Sequence, residues 1–152
     1  MSLRSVRELR ILLADDDAED RELFKEVAAG VHSNIRLASV PDGEKLMAWL
    51  MRKNSPLPDI IFMDLNMPRK GGKECLEEIR NIHNLRHIPV VIYSTSSSLW
   101  DIDDTFNKGA NLYIRKPTSA RELESILKKV VALDWQMYAP KSNKQQFVLG
   151  YL

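Results

Sequence analysis

The sequence predicts an α/β domain in which a parallel sheet is covered by helices on both faces. Apolar segments of strand length alternate with segments of helical period, and this alternation occurs five times before about residue 133. Each pair of consecutive strands is therefore joined by a helix, which is the connection that parallel strands need. In such sheets the functional groups gather at the carboxyl ends of the strands.

Length, charge and cysteine content narrow the class of protein. The chain has 152 residues, which suffices for one domain with a core but not for two full-sized domains. The net charge of +1 gives no bias toward a phosphate backbone or an anionic membrane, so neither nucleic acid nor membrane is an expected partner. One cysteine without metal-type spacing excludes an intramolecular disulfide, and we expect a cytoplasmic protein. The first apolar run, residues 11–14, is too short for a signal peptide or a membrane span.

The first strand and helix are bounded by clear signals. Residues 9–14 form an apolar run that ends in acidic residues, as a buried strand would. Asp17 is a good N-cap residue, and Glu19 and Asp20 suit the first turn of the helix that follows. Gly30 is the predicted end of that helix.

The second and third units repeat this plan. Residues 35–40 are a predicted strand, residues 41–43 a turn, and residues 59–63 a third, continuously apolar strand. The second helix carries its apolar stripe on Leu46, Met47, Leu50 and Met51, and the third helix, after Gly71 and Gly72, on Cys75, Leu76, Ile79 and Ile82. Cys75 and the methionines Met47, Met51 and Met63 are accordingly predicted to be core residues.

The last two units complete the sheet. Residues 89–93 are the fourth strand, residues 99–108 the fourth helix with Gly109 as its stop, and residues 112–115 the fifth strand. Ser119 and Glu122 form a capping box that opens a fifth helix with a strict apolar face. His83 and His87 follow the third helix and are expected to be surface residues rather than zinc ligands.

Polar side chains follow four of the predicted strands. They are Asp15, Asp16 and Asp17 after the first strand, Asp64 and Asn66 after the third, Ser94 and Thr95 after the fourth, and Lys116 and Pro117 after the fifth. Carboxylates about 5 Å apart repel by about 3 kcal/mol per pair at an effective dielectric constant of about 20. Lys116 supplies one positive charge against these carboxylates, and a bound Mg²⁺ would supply the remaining positive charge. Alternatively, a raised pKa would leave one carboxylate protonated and so remove the repulsion. Asp17 is interpreted as a helix cap.

In these motifs the chain resembles the response-regulator receiver domains of two-component signalling. The matching segments are residues 11–17 (ILLADDD), 59–68 (DIIFMDLNMP), 90–95 (VVIYST) and 113–117 (YIRKP), with Gly72 and the pair Gly109-Ala110. The resemblance covers about residues 8–133 and implies a flavodoxin-like (βα)5 fold with strand order 2-1-3-4-5. Residues 134–152 then form a C-terminal extension without an output domain.

The resemblance also implies a chemistry for the strand ends. Asp64 would be the nucleophile that accepts a phosphoryl group from a phosphohistidine on a sensor histidine kinase or a phosphotransfer protein. Asp16 would bind Mg²⁺ directly and Asp15 through water, and Asp64 and the backbone carbonyl of Asn66 would complete the protein ligands. Lys116 would bind one phosphoryl oxygen and the Ser94 hydroxyl another. Such a set is chemically sufficient, because phosphoryl transfer needs positioning and charge neutralisation more than covalent help.

A switch and an output surface are implied as well. Lys116-Pro117 would be a cis peptide that directs the ammonium into the pocket, at a cost of about 0.5–1 kcal/mol for an X-Pro bond. Ser94 and Tyr113 would form the switch, with the Tyr113 ring turning inward when Ser94 moves toward the phosphoryl group. The candidate output surface lies on the fourth helix, fifth strand and fifth helix and includes Trp100, Ile102 and Tyr113. A downstream protein target would read it.

Two points stay open from the sequence. The extension contains Trp135, Tyr138, Phe147 and Tyr151, so it either docks on the domain or mediates a homodimer, for which the fourth helix, fifth strand and fifth helix are a second candidate surface.

The alternative function is a Mg²⁺-dependent phosphohydrolase with an aspartyl-phosphate intermediate on Asp64. Dehalogenase-type phosphatases, however, place Asp-x-Asp after the first strand, whereas this chain has Asp-x-Asn after the third.

Overall fold

A computed structural model describes residues 8–31 and 34–149. Its strands are β1 (Leu9–Ala14), β2 (Ile35–Val40), β3 (Ile60–Met63), β4 (Val90–Ser94), β5 (Leu112–Arg115) and β6 (Val148–Leu149). Its helices are α1 (Ala18–Val31), α2 (Gly43–Leu50), α3 (Gly72–Asn81), α4 (Leu99–Asn107), α5 (Ala120–Val131) and α6 (Lys144–Phe147).

All the strand pairs are parallel, and the sheet order is β2-β1-β3-β4-β5-β6. This order confirms the predicted α/β class and the 2-1-3-4-5 arrangement. The C-terminal strand β6, which the sequence did not predict, extends the sheet beyond β5. No helix in the described ranges 8–31 and 34–149 combines the length and apolar character that crossing a membrane requires.

The core has two layers, one on each face of the sheet. Side chains of α2, α3 and α4 pack on one face, and side chains of α1 and α5 pack on the other. β3 is buried at every position because both of its faces are covered, and its sequence is accordingly apolar throughout. Packing on both faces therefore fixes the positions of the carboxyl ends of the central strands β1, β3 and β4.

Several element boundaries differ from the sequence prediction. α1 continues through Gly30 to Val31, so the predicted stop at Gly30 is wrong. Residues 41 and 42 are bends, as the predicted turn requires, but α2 already begins at Gly43, because the Asp42 carboxylate caps the helix by accepting a hydrogen bond from the Lys45 amide at 2.8 Å. Gly109 does follow α4, with a left-handed φ of 98° that suits glycine at a helix end.

The predicted core residues are mostly buried. Cys75 is buried, and burial raises the pKa of its thiol to about 12, so it stays protonated at neutral pH. Met51 is an exception, because it is the C-cap residue of α2 and is 57% exposed. His83 and His87 are exposed as predicted.

Candidate phosphoryl and metal site

Asp15 lies at the end of β1 and is fully buried. Its Oδ1 accepts a hydrogen bond from the Asp17 amide at 3.0 Å. Its Oδ2 forms an ion pair with Lys116 Nζ at 2.8 Å. Among the described residues this buried oxygen has no further protein partner, so a metal ion could share it with Lys116.

Asp64 follows β3 and is 7% exposed. Its Oδ1 has a long contact of 3.4 Å with the Asn66 amide, and its Oδ2 accepts a hydrogen bond from Lys116 Nζ at 2.9 Å. The start of α3 packs directly on this turn, since the Gly72 amide donates to the Leu65 carbonyl at 2.9 Å. A Cβ at Gly72 would lie 2.3 Å from the Asp64 carbonyl oxygen, so only glycine fits there.

Lys116 sits among three carboxylates. Its Nζ lies 2.8 Å from Asp15 Oδ2, 2.9 Å from Asp20 Oδ2 and 2.9 Å from Asp64 Oδ2. Burial alone would lower the pKa of the ammonium, but the hydrogen bonds to the carboxylates outweigh it and raise the pKa above its ordinary value. The group therefore stays charged across the physiological range.

Asp20 is a member of this site that the sequence prediction missed. The sequence assigned it only to the first turn of α1, where an acidic side chain interacts favourably with the helix dipole. The structure turns its carboxylate toward Lys116, whereas Asp17 caps the helix through the amides of Glu19 and Asp20, as predicted. The sequence offered no signal for this contact, because Asp16 lies outside α1 and the helix dipole alone accounts for an acidic residue in the first turn.

Three carboxylates meet closely enough to share a metal ion. Asp15, Asp16 and Asp64 each offer an oxygen, and these oxygens lie within 4.8 Å of one another. The buried Asp15 Oδ2, which has no hydrogen-bond donor besides its ion-pair partner Lys116, and the all-oxygen donor set fit a hard divalent cation such as Mg²⁺. Burial also raises the pKa of Asp15, while Lys116 opposes this shift, so the alternative considered from the sequence contributes in part. The role of the Asn66 carbonyl stays a prediction.

The candidate switch residues are linked through Ser96. Ser94 is fully buried, and its Oγ accepts a hydrogen bond from the Ser96 amide at 3.1 Å. The Tyr113 hydroxyl donates to the Ser96 carbonyl at 2.9 Å, and the Tyr113 ring is itself fully buried. In this structure the Tyr113 ring is therefore in the inward position.

The predicted cis peptide between Lys116 and Pro117 is wrong, because the described residues contain no cis peptide bond. The Lys116 amide continues the sheet by donating to the Ser94 carbonyl at 2.8 Å. From this position its side chain reaches all three carboxylates through the trans bond, which is the lower-energy form of an X-Pro bond.

Comparison with known proteins agrees with this geometry. The family model for the response regulator receiver domain matches residues 11–128. The chain belongs to this family. It is a receiver domain with an acidic pocket of the kind in which the family binds Mg²⁺ or Mn²⁺.

Individual relatives cover most of the receiver domain. The response regulator Rcp1 of Synechocystis is 34% identical over 82% of this chain and 85% of its own length, and a crystal structure of its Mn²⁺-bound form aligns with a TM-score of 0.74. The phosphorylated cyanobacterial phytochrome response regulator RcpA is 34% identical, with a TM-score of 0.76 over 82% of this chain and 91% of that one. RPA3017, a response regulator in red light signaling of R. palustris, is 27% identical, with a TM-score of 0.73 over 89% and 96% of the two chains.

The candidate output surface of the receiver domain differs from the prediction. Trp100 is 72% exposed at the start of α4, next to Leu99, which is 76% exposed. Ile102 and Tyr113 are buried, so neither is part of the surface. Ile102 faces the core because it lies on the apolar side of α4, and Tyr113 is covered by the C-terminal extension.

The extension docks on the receiver domain, which is the first of the two alternatives left open above. A 3₁₀ turn (Trp135–Tyr138) is held by the Asn111 side chain, whose amide donates to the Tyr138 carbonyl at 3.0 Å. Phe147 of α6 is 1% exposed, and β6 then pairs with β5. Tyr151, which the prediction also included, lies outside the described residues.

Proposed function

We propose that this receiver domain is a phosphoacceptor of a two-component system or phosphorelay, phosphorylated on Asp64 in the presence of Mg²⁺. The observation that carries the proposal is the shared geometry of Asp64, which is bound to Lys116 at 2.9 Å and lies within 4.8 Å of two further carboxylates. A nucleophile, a fixed cation and a metal-type oxygen cluster at one point are what phosphoryl transfer requires.

The proposed step transfers a phosphoryl group from a histidine nitrogen of the donor to an Asp64 oxygen. An Asp64 oxygen attacks phosphorus, the bond between phosphorus and the histidine nitrogen of the donor breaks, and the imidazole leaves with its electron pair. Asp15, Asp16, Asp64 and the Asn66 carbonyl would hold Mg²⁺, which supplies charge neutralisation at the phosphoryl oxygens. Lys116 would exchange one of its carboxylate partners for a phosphoryl oxygen, and its raised pKa keeps it charged for this role.

The Ser94 hydroxyl supplies a further hydrogen bond in this proposal. Ser94 Oγ accepts from the Ser96 amide, and among the described residues its own proton is donated to no protein acceptor. It can therefore donate to a phosphoryl oxygen without first breaking a bond. Ser94 and Tyr113 are the switch residues, since both contact Ser96.

The donor that we propose is a sensor histidine kinase or phosphotransfer protein, in the cytoplasm. RcpA and RPA3017 are described as phytochrome and red-light response regulators, which favours a phytochrome-type kinase as the donor. The readers we propose are a downstream target protein or a second copy of this chain, bound on the face of α4, β5 and α5, part of which the docked extension forms. Leu99 and Trp100 are the exposed apolar side chains there.

Incubation with acetyl phosphate, with and without Mg²⁺, tests the proposal. Wild type should gain the mass of one phosphoryl group only when Mg²⁺ is present, and Asp64→Asn should gain none. Asp17→Asn is the matched control, because it removes one nearby carboxylate but keeps a good helix cap, and it should be phosphorylated like wild type. Sustained hydrolysis of phosphate esters would instead favour the phosphohydrolase, and an unmodified wild type would contradict the proposal.

A further inference from the structure

The end of the described chain covers the switch tyrosine. Phe147 is 1% exposed, and its ring centroid lies 6.2 Å from that of Tyr113 and 5.1 Å from that of Phe106. Both ring pairs have the edge-to-face geometry that aromatic side chains favour. Directly after Phe147, Val148 pairs with Tyr113 and Leu149 with Ile114 in the parallel register of β6 on β5.

Polar contacts fix the position of this docking segment, which we define as residues 144–149. Lys144 forms an ion pair with Asp103 of α4. The Gln146 side-chain amide donates to the Met137 carbonyl in the 3₁₀ turn. The segment is therefore attached to α4, to β5 and to the preceding part of the extension.

A short series of contacts connects the docking segment with the phosphoryl pocket. Phe147 packs on the Tyr113 ring, the Tyr113 hydroxyl donates to the Ser96 carbonyl, and the Ser96 amide donates to Ser94 Oγ. Ser94 ends β4, the strand next to β3, which Asp64 follows. The segment thus contacts the switch itself rather than a distant surface.

We propose that the docking segment is an intramolecular ligand of the switch, so that its docking and the phosphorylation of Asp64 favour each other. This inference rests on the proposed function. When docked, Phe147 holds the Tyr113 ring inward, and Tyr113 holds Ser96 where its amide binds Ser94 Oγ. The Ser94 proton is then left free to be donated to a phosphoryl oxygen. Because binding couplings are reciprocal, phosphorylation must strengthen docking by the same factor.

The docking segment is suited to this role because its attachment is limited. One buried aromatic side chain, a two-residue strand, one side-chain hydrogen bond and an exposed ion pair hold it in place. Such a segment can open locally while the rest of the sheet stays folded. The proposed reader of the phosphorylated protein accordingly meets an α4 and β5 face on which this segment is in place.

Hydrogen exchange on the full chain tests the proposal in one direction. With Mg²⁺ present, exchange of the Val148 and Leu149 amides is compared before and after modification with acetyl phosphate, and intact mass measures the phosphorylated fraction. Exchange should slow by about fivefold or more, which is the lower end of typical coupling between sites. Unchanged or faster exchange in fully phosphorylated protein would overturn the inference and leave the proposed function intact. Absence of any phosphoryl mass would overturn both.

Equilibrium binding of beryllium trifluoride with Mg²⁺ tests the reverse direction. This anion binds a carboxylate oxygen as an analogue of the phosphoryl group. Phe147→Ala should weaken its binding by about fivefold or more, whereas Phe147→Leu should recover most of the affinity. Gln136→Ala, at an exposed side chain of the extension outside the docking segment, is the matched control and should bind like wild type. Equal affinity for wild type and Phe147→Ala would overturn the inference.

Discussion

The ammonium of Lys116 lies 2.9 Å from Asp20 Oδ2, the same distance that separates it from Asp64 Oδ2. Asp20 comes from the first turn of α1, whereas Asp64 follows β3, so two different elements bind the same cation. A phosphoryl group on Asp64 would have to share Lys116 with Asp20. Asp20 therefore competes for the cation that the phosphoryl group needs, and its own charge repels the group.

Removing this competition should favour the phosphorylated form. Asp20→Asn should bind beryllium trifluoride about tenfold more tightly than wild type, since a hydrogen bond to a charged group contributes on the order of 1.5 kcal/mol. Titration in Mg²⁺-containing buffer measures the change. Glu22→Gln, an exposed substitution on the same helix, should leave the affinity unchanged. Weaker binding by Asp20→Asn would show that Asp20 supports the site instead.

Magnesium should stabilise the wild-type protein through Asp16. Asp16 is exposed, so Asp16→Asn should leave the melting temperature of the metal-free protein nearly unchanged. The rise in melting temperature on adding Mg²⁺ should be lost, because a ligand stabilises only the state that binds it. Thermal denaturation with and without Mg²⁺ measures this, and Asp17→Asn, which removes the neighbouring charge, should keep the full response. A full response in Asp16→Asn would exclude Asp16 as a ligand.

The raised pKa of Asp15 predicts that the stability of the metal-free protein depends on pH. Its pKa is raised in the folded state by burial, so protonation stabilises the folded protein. That stabilisation is fully present below the ordinary aspartate pKa of 3.8 and is lost as the pH rises through the folded-state pKa. Asp15→Asn should consequently stabilise the protein at pH 7 by about 1.4 kcal/mol for each unit by which the pKa is raised, and by less in acid.

Urea unfolding of both proteins at several pH values in a chelator measures this difference. A stability gain from Asp15→Asn that is larger in acid than at pH 7 would contradict the prediction. The groups that face Asp15 are Lys116, Asp16 and Asp64, and they are identical in the two proteins.

Gly72 and Gly71 provide a matched pair for the turn behind Asp64. A Cβ at Gly72 would lie 2.3 Å from the Asp64 carbonyl oxygen, whereas at Gly71 the nearest atom would be 3.4 Å away. Gly72→Ala should destabilise the domain by about 3 kcal/mol through overpacking and should slow phosphorylation, since the turn must shift. Gly71→Ala should change stability by less than about 0.5 kcal/mol. Chemical denaturation compares them, and equal effects would contradict this account of the turn.

The sequence predicted the central part of the fold and site because strong local patterns specify both. Continuous apolar runs identify the strands, and the carboxyl ends of parallel strands meet at one edge. That reasoning placed Asp15, Asp64 and Lys116 together, and the structure confirms that these side chains meet. Asp16 follows from the same pattern because it adjoins Asp15.

The remaining features depend on packing that a local pattern does not specify. Asp20 contacts Lys116 only because α1 is rotated to turn that side chain inward, and an acidic first turn looks the same in either rotation. The two-residue strand β6 is too short for an alternating pattern, and the sequence identified Phe147 only as one of four aromatic residues of the extension, without its contact on Tyr113. The isomer of the Lys116-Pro117 bond is not specified either, because the two isomers of an X-Pro bond differ by only about 0.5–1 kcal/mol and the surrounding structure decides between them.

The most direct test uses phosphoramidate, a small donor whose bond between phosphorus and nitrogen resembles that of phosphohistidine. The protein is incubated with phosphoramidate and Mg²⁺, the acyl phosphate is reduced with borohydride, and the modified residue is located by peptide mass spectrometry. We predict one modification, at Asp64, that requires Mg²⁺. Modification at another residue, such as His83 or His87, or an unmodified Asp64 in Mg²⁺-containing buffer, would contradict the account.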